Sequence, residues 1–130
     1  MKKSVPCQIE AVFDRLEIEY RKLACGDGLL YFCTPANGVT FDLFVDPEGN
    51  VKLWRFVAAV PDAGDAVKCE YRGPGFPWDI IGLEVTGEGE VIMFVTRKVD
   101  GTSARCGTDL SCMIASYCEM TARLHDRTHR

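Results

Sequence analysis

The sequence predicts an α+β domain, an antiparallel sheet of five to six strands flanked by N-terminal and C-terminal amphipathic helices. Three observations carry that expectation. Apolar residues recur at helical spacing near both ends, the stretch between them alternates in period two, and acidic glycine turns interrupt the alternation. No helix separates consecutive strands, which disfavours a parallel sheet built on crossovers.

Ser4 and Pro6 mark the first helix, where Ile9, Val12, Phe13 and Leu16 fall at i, i+3, i+4 and i+7 and make one apolar stripe. Residues 17–25 then read as an irregular strand that ends at Gly26-Asp27-Gly28, and residues 29–33 as its hairpin partner. Val39, Phe41, Leu43 and Val45 alternate with Thr40, Asp42, Phe44 and Asp46. The turn 46–50 leads from there into a strand over 51–60. Residues 66–72 fit a turn of helix or a strand, with the alternation favouring strand. Gly73 to Trp78 reads as a loop, because its prolines remove ladder donors. Residues 80–86 and 90–99 form a last hairpin around Gly87-Glu88-Gly89. The closing helix runs from after Thr108 to about His125, with Leu110, Ile114, Tyr117 and Leu124 on one side. Both apolar stripes must be buried, most simply on one face of the sheet.

With 130 residues the chain is read as a single domain, 1–130, large enough to bury a core without metal or disulfide. Fifteen basic against nineteen acidic residues argue against a protein that works by neutralising phosphates, so no nucleic-acid partner is expected. Neither a signal-peptide-like run nor an 18-residue apolar stretch is visible, and seven cysteines fall in no regular framework. No membrane association and a reducing, cytoplasmic location are therefore expected.

Little in the chain suggests catalysis. His125 and His129 lie four apart, but Cys118 is two turns away, roughly 10 Å, too far to complete a comfortable metal site. Cys106, Cys112 and Cys118 recur every six residues, which turns successive helical positions about 120° apart and separates their side chains. The carboxylates mostly sit in turns. No catalytic residue, metal or cofactor is assigned. Trp54 and Phe56 point opposite to Val51, Leu53 and Val57, so both faces of that strand are apolar, and Phe76 and Trp78 sit on a Gly/Pro loop. These four aromatics are the candidate contacts for a protein partner. The alternative is a small-ligand or minor enzymatic pocket between the sheet and the last helix, with Tyr31, Tyr71, Tyr117 or a cysteine as polar groups.

Residues 13–20 (Phe-Asp-Arg-Leu-Glu-Ile-Glu-Tyr), the hairpin 39–56, the hairpin 81–95 and the closing helix occur in an order that resembles the small acidic secretion-chaperone fold and its cytosolic YbjN-like relatives. The chain differs from that pattern over 63–78, where those families place a second helix. The resemblance implies a homodimeric, non-enzymatic chaperone or adaptor that binds an extended segment of another protein, and it carries over no catalytic residue.

Overall fold

The computed structural model describes residues 4–59, 82–85 and 90–128. In chain order these form α1 (Val5–Arg15), β1 (Glu19–Cys25), β2 (Gly28–Thr34), β3 (Phe41–Val45), β4 (Asn50–Ala59), β5 (Gly82–Val85), β6 (Glu90–Lys98) and α2 (Cys106–Thr128). The six strands make one antiparallel sheet in the order β1-β2-β3-β4-β6-β5. The α+β class expected from the sequence is the one observed. The stretch 66–72, with Phe76 and Trp78, lies outside the described residues.

Local chemistry sets the boundaries of α1. The Cys7 N–H donates to the Ser4 hydroxyl at 3.3 Å, which satisfies one donor of the first turn, and Pro6 needs none there. At the other end the Ile18 and Glu17 N–H groups return to the Phe13 and Asp14 carbonyls, a Schellman closure. Glu17 occupies the left-handed position of that closure, with φ 58. The strand expected from residue 17 therefore starts two residues later, at Glu19. At the far end, α2 starts at Cys106 and runs to Thr128, longer at both ends than its apolar spacing indicated.

Both helices cover the same face of the sheet. Ile9, Val12 and Phe13 of α1, Leu110, Met113, Ile114 and Tyr117 of α2, and Tyr31, Leu43, Leu53, Met93 and Val95 of the sheet form one buried cluster. Burying a Leu or Phe side chain contributes on the order of 1.5–3 kcal/mol, so this cluster dominates the stabilisation. Polar contacts then fix how the helices sit. Tyr117 donates to the Met93 carbonyl at 2.5 Å, Gln8 donates to the Gly101 carbonyl at 3.1 Å, and Arg97 pairs with Asp109 at 3.4 Å. Asp109 lies in the first turn of α2, where a carboxylate also favours the helix dipole.

Candidate functional site: the outer face of the sheet

The strand register places a second apolar surface on the side away from the helices. Across the sheet Arg21, Phe32, Asp42, Trp54 and Phe94 stand opposite one another in one line, and Leu23, Leu30, Phe44, Lys52 and Thr96 in the next. Phe56, opposite Ile92, extends this surface to the point where β4 bulges between Phe56 and Ala58. Leu23 and Phe56 are each 54% exposed and Phe32 44%, while Leu30, Phe44, Trp54 and Phe94 are partly buried. Large apolar side chains grouped in this way on a monomer's surface mark an interaction site more often than a scattered few do.

Two charged groups sit within this surface. The Lys52 Nζ lies 4.9 Å from the centroid of the Phe94 ring and 5.9 Å from that of Trp54, so its charge rests on aromatic faces. Asp42 is half-buried between Phe32 and Trp54, and burial raises its carboxyl above the ordinary value.

A different polar cluster lies under β1. The Glu10 carboxylate accepts from the Tyr31 hydroxyl at 2.7 Å, the Tyr20 hydroxyl at 3.1 Å and Lys22 Nζ at 3.3 Å. Tyr31 also packs edge-on to Tyr20 and to Phe13, and Tyr20 lies tilted against Phe13, with ring centroids 5.1–5.5 Å apart. Partial burial pushes the Glu10 carboxyl up, but the hydrogen bonds from Tyr31, Tyr20 and Lys22 outweigh it, and the carboxyl lies below its ordinary value. A depressed carboxyl contributes stability that is present above its unfolded-state value and lost as pH falls through the folded one. Glu10→Gln should cost about 1 kcal/mol at pH 7 by loss of charge-assisted hydrogen bonds. The difference from the native chain should shrink in urea melts as pH falls below the ordinary carboxylate range. An undiminished difference at acid pH would assign the loss to packing instead.

Among the described residues, the side chains between the sheet and α2 pack against one another. Leu43, Leu53, Met93, Val95, Leu110, Met113, Ile114 and Tyr117 are all 0% exposed. Tyr31 and Tyr117, named as polar groups for a pocket, are held by Glu10 and the Met93 carbonyl, and burial pushes both phenols well above their ordinary value. Cys33 and Cys118 are buried or half-buried thiols whose titration burial also pushes up, Cys118 to about 12, so neither is an activated nucleophile. Among the described residues no group of three metal-ligating side chains converges. No described helix is long and apolar enough to cross a membrane.

Of the four aromatics named from the sequence, Trp54 and Phe56 stand together on the outer face, as their alternation with Val51 and Leu53 indicated. Phe76, Trp78, Tyr71 and the side chains of His125 and His129 lie outside the described residues. Sequence reasoning missed Leu23, Leu30, Phe32, Phe44 and Phe94 as members of the same surface. Their signal was present, since Leu30 and Phe32 alternate with the buried Tyr31 and Cys33, and β2 is thus apolar on both faces just as β4 is. Compared with known proteins, the chain matches no family model and no curated protein.

Proposed function

We propose that the chain is a non-enzymatic protein-binding module, chaperone- or adaptor-like, which holds an extended segment of another protein on the outer face of its sheet and works as a homodimer in the cytoplasm. One observation carries this reading: Leu23, Phe32 and Phe56 are solvent-exposed on a face that Leu30, Phe44, Trp54 and Phe94 also line. An extended segment suits such a face, because alternate side chains can fill the spaces between the aromatic rings while the others stay wet. The likeness in element order to the secretion-chaperone and YbjN-like families supports it.

The test is lysine crosslinking of the native chain in an extract of its source cells, with the crosslinked sites mapped. Lys52 lies within the outer face, so it should crosslink to the partner or to the second copy. Phe32→Ser combined with Phe56→Ser should abolish those crosslinks. Both rings are about half exposed and outside the buried core, so each change should cost only about 1 kcal/mol and leave the fold intact. Crosslinks that survive the double substitution, or that map only to the helices, would overturn the reading.

A further inference from the structure

We infer that the segment held on the outer face presents a single arginine, flanked by apolar side chains, whose guanidinium lies against Asp42 between Phe32 and Trp54. This rests on the protein-binding reading and adds the chemistry of the partner.

The register puts Asp42 directly opposite Phe32 on one side and Trp54 on the other, all three on the outer face. Residues directly opposite in an antiparallel pair have Cβ atoms about 4.5–5.5 Å apart, so the carboxylate stands in a slot with an aromatic side chain on each flank. Asp42 makes no hydrogen bond or ion pair among the described residues. A half-buried carboxylate in that condition is destabilising until a cation or donor reaches it. Lys52, diagonal to it, rests instead on the rings of Phe94 and Trp54, which shows that these rings accept a cation.

A guanidinium fits this slot better than an ammonium. It is planar, stacks on aromatic faces and offers a carboxylate two parallel donors, whereas a lysine brings one compact, strongly hydrated charge. Arg21, beyond Phe32, and Lys52 stand on either side of the slot. Their charges disfavour a basic run and favour one cation in an apolar context. Carboxylates on the partner could pair with the exposed Arg21, but such surface pairs add little. The unpaired half-buried charge is the one whose satisfaction changes affinity most.

The experiment uses two fluorescein-labelled peptides of thirteen residues in which leucine and serine alternate. One carries arginine and the other citrulline at the centre of the leucine face. Each is titrated with the full chain and followed by anisotropy. The arginine peptide should bind about ten-fold tighter than its neutral isostere, as a charge-assisted pair requires. Asp42→Asn, which keeps shape and removes charge, should erase that preference, so that the variant binds the arginine and citrulline peptides with equal affinity. Equal binding of the two peptides by the native chain would overturn the inference and leave the protein-binding reading standing. A preference that persists in Asp42→Asn would also overturn it, because the cation would then be met elsewhere. Failure of both peptides to bind overturns it as well, and the Lys52 crosslinks then decide the protein-binding reading by themselves.

Discussion

Phe13→Ala should lower the stability of the fold by about 3–5 kcal/mol, the range for removing a buried phenyl ring from a packed core. Phe13 is 0% exposed, lies on the sheet side of α1, and packs against Tyr20 of β1 and Tyr31 of β2 at ring distances of 5.1 and 5.4 Å. Its carbonyl also accepts from Ile18 at 2.8 Å, so the ring and the helix closure are anchored at one residue. With roughly 3–5 °C lost per kcal/mol at this chain length, the melting temperature should fall by about 10–20 °C. Urea melts followed by circular dichroism would measure the free-energy loss, and thermal melts the shift in melting temperature. A loss below about 1 kcal/mol would mean that α1 contributes little to the core and that β1 and β2 hold without it.

Gly49→Ala should be the most damaging single methyl added at a turn. Gly49 has φ 90, a region that residues with a side chain rarely enter, and its added Cβ would meet the Val99 carbonyl oxygen. The Gly49 carbonyl accepts from the Val99 N–H at 2.8 Å, so the β3–β4 turn and the end of β6 are joined through this backbone. A strained φ alone costs on the order of 1–3 kcal/mol, and the clash with backbone adds to it. The same turn is organised by Asp46, whose side chain accepts from the Asn50 amide at 2.8 Å and from the Asn50 and Glu48 N–H groups at 2.9 Å. Those bonds hold its carboxyl below the ordinary value. The substitution should therefore cost at least about 2 kcal/mol and raise hydrogen exchange at Val99 first. Exchange at Val99 unchanged from the native chain would show that the turn can rotate away from β6 without loss.

Much of this architecture was legible before the structure, and the reasons differ from element to element. Ile9, Val12 and Phe13 repeat at helical spacing and are the buried residues of α1, because a short helix on a sheet can bury only one stripe. Val51 and Leu53 against Trp54 and Phe56 separated the two faces of β4 correctly, because period two leaves no other arrangement. The start of β1 is not legible in the sequence because the left-handed closing residue of α1 is Glu17, where a glycine would signal the break. The sheet order was beyond local pattern, because β6 pairs with β4 through contacts between residues far apart in sequence, such as Asn50 and Lys98. The setting of Asp42 was hidden for the same reason. In sequence it is one polar residue of an alternating strand, and only the register with β2 and β4 places aromatic side chains on both flanks.

The insertion of β6 between β4 and β5 has a consequence for how the chain reaches its native state. Strands β1 to β4 pair in succession through short connections and can close early with α1 over part of their inner face, but the residues that complete that cover, Leu110, Met113, Ile114 and Tyr117, come from α2, which follows all six strands in the chain. Until α2 docks, the part of the inner face that α1 leaves uncovered is exposed together with the apolar outer face, a transient state prone to pairing with other chains. The acidic turns at Asp27 and at Asp46 to Glu48 then serve as charged guards at the ends of these strands. A ribosome paused before residue 106 would hold out a sheet sticky on its outer face and on part of its inner one, and the docking of α2 leaves only the outer face.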